Sequence, residues 1–200
     1  MLTVAFDTAT DAATVGIVRG RDEALGERIT KPSLLLADLD ELLAERGLAQ
    51  PDLGRIAVGV GPGTYTGLRM GLVTARLLSL TLGIPVAGVS TLAALAHGAP
   101  GALPVVDARR REVFALLDGV PVVCAPADLA LAPGTLLVGD GAVRYRDLFE
   151  GAGATIPRDE DDRHVPWARH HAALAEDYGD AGRAAPIYLR VPDAERALRP

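Results

Sequence analysis

A glycine-rich segment at residues 61–69, with the sequence GPGTYTGLR, carries the clearest candidate chemistry in the chain. It follows an apolar run over 55–61 that predicts a buried strand, and it precedes a helix predicted over 68–82. A strand, a glycine turn and a helix start together place several backbone N–H groups at a positively polarised helix end, which suits phosphate or another anion. The alternative is that the glycines only supply the positive φ of a tight connection. The candidate anion-binding residues here are Gly61, Gly63, Thr64 and Gly67.

Two apolar strands each end in an aspartate that a short polar turn follows. The first leads to Asp7 and Thr8, and the second leads to Asp107 and Arg109. A carboxylate at a strand end with hydroxyl groups beside it could hold a Mg²⁺-nucleotide, and Arg109 offers a charge partner. The alternative is that these side chains cap their own turns, as Asp and Thr do in ordinary hairpins. The residue types alone leave both interpretations open.

The first half of the chain reads as a strand meander followed by two helices. Short strands over 2–6, 15–18 and 24–29, joined by tight turns, predict an antiparallel meander. A helix is predicted to begin at Pro32 or Ser33 and to end before Gly47. The helix over 68–82, a strand over 86–89 and a helix over 91–97 follow.

A boundary is predicted at residues 99–101, Ala-Pro-Gly, which divides the chain into lobes 1–101 and 102–200. The second lobe repeats the opening outline of strand, aspartate, polar turn and strand, which suggests two similar halves that face each other. Its pattern is less regular, so it is expected to be the reduced lobe. Its further predicted elements are strands over 120–123 and 136–138 and a helix over 167–178.

The two long helices carry more apolar surface than a protein of this size can bury. The first has a leucine stripe, and the second has small residues at every fourth position, which lets another helix approach closely. The alternative is that the small residues pack inside, against the first helix. The predicted partner surface consists of Leu35, Leu39, Leu42, Arg69, Gly71, Ala75 and Arg76.

Composition excludes several classes of protein. With 200 residues, 49% hydrophobic and 23% charged, the chain can bury a core and is not globally disordered. Its single cysteine excludes a disulfide scaffold and a cysteine-based zinc site. A net charge of −6 argues against a broad nucleic-acid surface. No apolar run approaches the length of a membrane span, so we expect a soluble cytoplasmic protein without a membrane or targeting segment.

No catalytic residue and no metal site are predicted. His164, His170 and His171 lie close together, but no carboxylate spacing around them matches a zinc motif. The serines lack the flanking elbow of a hydrolase nucleophile.

Five motifs follow one another along the whole chain: DTAT at 7–10, GPGTYTGLR at 61–69, VSTL at 89–92, VDAR at 106–109 and IYLR at 187–190. In this order they resemble the TsaB (YeaZ) family of tRNA threonylcarbamoyladenosine biosynthesis proteins, for which the glycine segment is very specific. The resemblance implies an α/β chain with the actin/Hsp70-like ATPase (ASKHA) fold in two lobes.

The resemblance also implies a non-catalytic role. In that family the paralogous subunit TsaD transfers the threonylcarbamoyl group, and the TsaB-like chain binds and supports it, with TsaE and TsaC as further partners. The His-x-x-x-His metal motif of the catalytic relatives is missing here, and Pro32 stands where many members carry His. No cofactor is expected on this chain alone, with ATP or ADP left open at the partner interface, and tRNA is expected to be contacted only indirectly.

The prediction is therefore a non-catalytic subunit that forms a heterodimer with TsaD, or a homodimer, through the N-terminal lobe. The alternatives are a small nucleotide-binding phosphotransferase of the same fold and an M22-like peptidase.

Overall fold

The computed structural model describes residues 1–190 and folds them around two β-sheets. The first sheet contains β1 (Leu2–Asp7), β2 (Ala13–Arg19), β3 (Glu23–Thr30), β4 (Leu53–Gly59) and β5 (Val86–Val89). Their spatial order is β3-β2-β1-β4-β5. The first three strands pair antiparallel, and β4 and β5 run parallel to β1. This order places the ends of β1 and β4 side by side at one edge of the sheet.

Two helices, α1 (Leu35–Glu45) and α2 (Tyr65–Leu82), cover one face of the first sheet. Leucines of both helices pack on the inward side chains of β1, β2 and β4, such as Phe6 and Ile17, which are fully buried. Burial of such side chains, at about 25 cal/mol per Å² of apolar surface, stabilises this half of the protein.

The second sheet has the order β8-β7-β6-β9 and is smaller. Its strands are β6 (Leu103–Arg109), β7 (Glu112–Leu117), β8 (Val120–Cys124) and β9 (Leu137–Val138). Helix α3 (Thr91–Gly98) packs on one face of this sheet. Helices α4 (Asp140–Arg144) and α5 (Arg146–Gly151) contribute to the core on its other face.

Helix α6 (Ala168–Leu174) returns to the first sheet and covers its second face. There it packs on small residues of the central strands, such as Ala5 and Ala57. It also contacts α3, so α3 and α6 form the layer between the two sheets. Residues 168–187 of the predicted second lobe thus lie against the first sheet, and the Ile187 N–H donates to the Val60 carbonyl (2.8 Å). Short 3₁₀ turns occur at Gln50–Asp52, Pro126–Asp128, Asp162–His164 and Ala181–Arg183.

The structure confirms the three-stranded meander and the order of strands and helices through β8. The predicted elements differ from the observed ones at their ends. Helix α1 begins at Leu35 because the residues before it form a turn, and α2 begins at Tyr65, after the extended Thr64. The helix predicted over 167–178 ends at Leu174, where Ala175 adopts an extended backbone. Helices α4 and α5 were not predicted because five or six residues are too few to show a helical period.

Within residues 1–190, no helix has both the length and the apolar character needed to span a bilayer.

Candidate functional site

The turn after β1 packs directly beneath the glycine-rich segment. The Thr64 N–H donates to the Ala9 carbonyl (2.7 Å), and the Thr8 hydroxyl donates to the Gly67 carbonyl (2.7 Å). A Cβ added at Gly63 would lie 2.2 Å from the Ala9 carbonyl oxygen, and one at Gly67 would lie 2.0 Å from the Thr8 carbonyl oxygen. Only glycine allows this approach of two backbones. A packing role for the glycines is therefore visible in the structure, while anion binding by Gly61, Gly63, Thr64 and Gly67 stays a prediction.

Asp7 lies at the centre of a buried polar network. Its Oδ1 accepts a hydrogen bond from the Ala9 N–H (2.6 Å), and its Oδ2 accepts one from the Thr91 hydroxyl (2.7 Å). The same Oδ2 lies 2.9 Å from Nε2 of His171. Burial alone would raise the pKa of Asp7, but the hydrogen bond and charge of His171, with the bonds from Thr91 and Ala9, bring that pKa below its ordinary value.

His171 is a residue of this network whose role the sequence did not reveal. It is fully buried on α6, and its Nδ1 lies 3.2 Å from the Trp167 carbonyl oxygen. Its Nε2 is directed at the Asp7 carboxylate, and its Nδ1 is directed at the backbone of α6. The contact between His171 and Asp7 therefore ties α6 to the end of β1. They are 164 residues apart, and no local pattern could have shown that they meet.

The Asp7 carboxylate is consequently directed to protein partners. Both its oxygens are hydrogen-bonded within the protein and its side chain has no solvent exposure. Thr8 is likewise buried, with its hydroxyl engaged by α2. The fit of Asp7 and Thr8 to a Mg²⁺-nucleotide is accordingly poor in this conformation.

A second network joins the two sheets. Asp107, at the end of β6, is nearly buried and accepts hydrogen bonds from the Arg109 N–H (2.9 Å) and guanidinium (3.0 Å). Arg144 lies 3.4 Å from the same carboxylate. Arg109 also pairs with Asp11, which belongs to the turn between β1 and β2. The second aspartate turn is therefore bound to the first through an arginine.

Asp140 links the same two turns through backbone groups, and no pattern in the sequence points to it. Its Oδ1 accepts from the Asp107 N–H (2.9 Å) and its Oδ2 from the Asp11 N–H (3.4 Å). Burial raises the pKa of Asp140 to about 6, against the lowering effect of these two hydrogen bonds. The carboxylate is thus an internal acceptor at the junction of the two halves.

A cleft of about 490 Å³ opens between the glycine segment and the second sheet. Four of the predicted anion-binding residues, Gly63, Thr64, Asp107 and Arg109, line it. The remaining four predicted residues, Asp7, Thr8, Gly61 and Gly67, do not. Aromatic residues and residues 187–190 complete its wall, and the tilted rings of Tyr65 and Tyr188 lie 5.8 Å apart between their centres. The structure thus brings together half of the predicted anion-binding residues in one concave site.

The predicted partner surface requires a correction. Leu35, Leu39 and Leu42 lie in the core of the first half, at 3% exposure or less. Gly71 and Ala75 are also buried, and a Cβ at Gly71 would lie 2.3 Å from the Thr8 hydroxyl. The leucines of α1 face the sheet because they form its apolar core, and Gly71 and Ala75 face it because the turn at Thr8 demands a close approach from α2. All five residues are therefore inaccessible to a partner.

Another apolar stripe on α2 is exposed instead. We define the α2 face as Met70, Val73, Leu77 and Leu80, which are 38%, 53%, 59% and 75% exposed. Their spacing of three, four and three residues places them on one side of the helix. Both predicted arginines remain exposed: Arg69 lies 4.1 Å from the ring centre of Tyr65, and Arg76 donates to the Ala184 carbonyl (3.2 Å). An unpartnered apolar stripe of this kind is typical of a protein interaction site.

Comparisons with known proteins agree with this architecture. The family model for TsaD, tRNA N6-adenosine threonylcarbamoyltransferase, matches residues 33–132. An uncharacterised protein of Mycobacterium tuberculosis is 39% identical over 96% of this chain and 93% of its own length. The tRNA threonylcarbamoyladenosine biosynthesis protein TsaB of Escherichia coli is 34% identical over 57% of this chain and 53% of its own length.

A solved structure extends the likeness to three dimensions. YeaZ from Pseudomonas aeruginosa superposes with a TM-score of 0.76 at 28% identity, covering 94% of this chain and 99% of that one. The α/β architecture with two sheets is accordingly the actin/Hsp70-like ATPase fold. The chain belongs to the TsaB (YeaZ) family, which acts in the biosynthesis of tRNA threonylcarbamoyladenosine.

Proposed function

We propose that this chain is a non-catalytic subunit that binds and supports the TsaD transferase through its α2 face. The observation that carries the proposal is the exposure of four large apolar side chains in one stripe of a long helix. Exposed apolar surface of this kind is costly in water and is stabilised when a partner covers it.

The choice of TsaD as partner rests on the likeness between the two proteins. The TsaD family model matches residues 33–132, a region that includes α1 and α2. Two related lobes can pair through the same surface on each, in an arrangement close to an isologous dimer. A homodimer of this chain would use the same α2 face and would compete with TsaD for it.

The internal use of Asp7 supports the non-catalytic part of the proposal. In this conformation its carboxylate serves to hold α6 and α3 through His171 and Thr91. Any ATP or ADP would then bind at the partner interface, and TsaE and TsaC would act with the assembled pair. Contact with tRNA would come through the complex, since a chain of net charge −6 provides little attraction for phosphate by itself.

Substitutions on the α2 face test the proposal directly. Leu77→Arg places a charge in the proposed apolar contact and should weaken binding to purified TsaD by at least about 100-fold, equivalent to about 3 kcal/mol. Because Leu77 is 59% exposed, the melting temperature should stay near that of the parent. Leu148→Arg is the matched control, since this leucine is 41% exposed on α5 and lies outside the α2 face.

Affinity would be measured by titration calorimetry with TsaD, and folding by thermal denaturation. Unchanged affinity in both Leu77→Arg and Val73→Arg, with both variants folded, would exclude the α2 face as the contact. Equal weakening by Leu148→Arg would show that the effect is not specific to this face.

The cleft favours one second candidate, a nucleotide-binding phosphotransferase. Its volume of about 490 Å³ suits a small ligand, and Arg109 lies in its wall. Under the main proposal, steady-state phosphate release from ATP by the isolated chain stays at the level of a buffer blank. Turnover that disappears in Arg109→Ala would favour the enzyme instead. The peptidase alternative stays untested.

A further inference from the structure

Two histidine side chains meet where the helical layers of the two halves touch. His97 lies in the last turn of α3, which packs on the second sheet, and His170 lies on α6, which packs on the first. Their Nδ1 atoms are 3.0 Å apart, and their ring centres are 5.1 Å apart. One ring therefore donates a hydrogen bond to the lone pair of the other.

The two rings differ in their access to solvent. His170 is half-buried between α6 and α3. His97 is exposed, so the site is open to solvent on its side.

Both rings are held by fixed elements. The Ser90 hydroxyl caps the start of α3 by accepting from the Ala93 N–H (3.3 Å), and the contact of His171 with Asp7 anchors α6. Gly98 gives the second ring its room, because a Cβ there would lie 2.7 Å from Nε2 of His170. The backbone at both positions is therefore fixed before a ligand binds.

The separation of the nitrogens fits a shared metal ion. Two imidazole nitrogens at about 2.05 Å from a tetrahedral Zn²⁺ lie about 3.3 Å apart, and cis ligands of Cu²⁺ or Ni²⁺ lie slightly closer. The observed 3.0 Å is close to these separations, and binding requires each ring to turn so that its Nδ1 lone pair points at the ion rather than at the other ring.

We propose that His97 and His170 form a two-histidine site for a divalent transition metal ion of the Zn²⁺, Ni²⁺ and Cu²⁺ class, with water in the remaining positions. Binding breaks the hydrogen bond between the rings. The proton on Nδ1 of the donor ring moves to its Nε2 through solvent, so both Nδ1 lone pairs face the metal and no net proton is released. No third histidine, cysteine, aspartate or glutamate joins the group among residues 1–190, which sets the affinity of the site below that of a closed structural zinc site. A bound ion would fasten α3 to α6 and stabilise the contact between the two halves.

Cu²⁺ is the probe of choice, because it binds nitrogen ligands most strongly in this series and is visible by electron paramagnetic resonance. The untagged full chain should bind one equivalent of Cu²⁺, with hyperfine structure from two nitrogens and an increase in melting temperature. His97→Gln and His170→Gln should each weaken binding by about tenfold or more, because each removes the chelate. The double variant should lose the site altogether.

His97→Gln is the decisive variant, since His97 is exposed and its replacement should leave the fold intact in the presence of EDTA. If His97→Gln binds Cu²⁺ with the affinity and spectrum of the parent, the proposal is wrong. It is also wrong if the parent binds only at millimolar Cu²⁺. Binding to TsaD is a separate measurement, and its failure would leave the metal result unaffected.

Discussion

The contact between Gly71 and Thr8 predicts an unusual pair of stability effects. A Cβ at position 71 would lie 2.3 Å from the Thr8 hydroxyl oxygen, more than 1 Å inside normal contact, which is about 3.4 Å. Such overpacking costs about 1–3 kcal/mol. Replacement of a helical glycine by alanine returns about 1 kcal/mol through helix propensity. The net expectation for Gly71→Ala is a loss of about 1 kcal/mol in the free energy of unfolding.

Thr8→Ala removes the obstructing oxygen. The nearest remaining atom to the added Cβ is Cβ of residue 8, at the ordinary distance of 3.5 Å. In the Thr8→Ala background, Gly71→Ala should therefore stabilise the protein by about 1 kcal/mol. The two substitutions would then show a coupling energy of about 2 kcal/mol in a double-mutant cycle. Thr8→Ala alone should cost about 1 kcal/mol, for its lost hydrogen bond to the Gly67 carbonyl.

Gly67→Ala is the matched control, because its Cβ would lie 2.0 Å from the Thr8 carbonyl oxygen, a backbone atom that no substitution at position 8 removes. Its destabilisation should be similar in both backgrounds. Urea unfolding of the six proteins gives the free energies, with unchanged m-values as the sign that the unfolding transition is the same. If Gly71→Ala has the same effect with threonine and with alanine at position 8, the steric argument is refuted.

Three further predictions concern charges and burial. Because the pKa of Asp140 is raised to about 6, the ionisation of Asp140 should lower the free energy of unfolding as pH rises from about 4 to 6. The loss should reach up to about 3 kcal/mol, and Asp140→Asn should remove it. Urea unfolding at each pH measures this free energy. Asp7 has the opposite effect, because its pKa is lowered: its contribution to the free energy of unfolding is present above about pH 4 and is lost as pH falls further. Asp7→Asn should therefore lower the free energy of unfolding by about 3 kcal/mol at pH 7. It should also reduce the dependence of that free energy on pH in the acid range. Ala75→Arg should abolish folding, as judged by circular dichroism, because it buries an unpaired charge; a folded variant would contradict the placement of Ala75 in the core.

Much of the local structure could be predicted from the sequence. Alternating apolar residues and tight turns indicated the meander of β1, β2 and β3, and helical spacing indicated α1 and α2. These predictions succeeded because periods of 2 and 3.6 residues are properties of the local backbone. The glycine segment was also recognisable, because its position between a strand and a helix is a sequence pattern.

Tertiary structure alone decided which face of α2 lies inside. The helix has two candidate stripes, one of small residues and one of large apolar residues. Both have helical spacing, so the spacing does not show which stripe is buried. The turn at Thr8 selects the small stripe, because the Thr8 backbone occupies the space that a larger side chain at Gly67 would fill, and the Thr8 side chain occupies that space at Gly71. The large stripe, with Val73 and Leu77, is consequently left at the surface.

The polar networks are likewise a product of the fold. Asp7 meets His171 across 164 residues, and Asp140 meets the backbone of Asp11 across 129. The sequence shows that each residue is titratable and places Asp7 at a strand end. It does not show a partner, because a partner at this distance is set by how α6 and α4 pack on the two sheets. Sequence pattern therefore determined the elements and the family likeness, while packing determined which carboxylates are paired inside and which apolar surface remains for a partner.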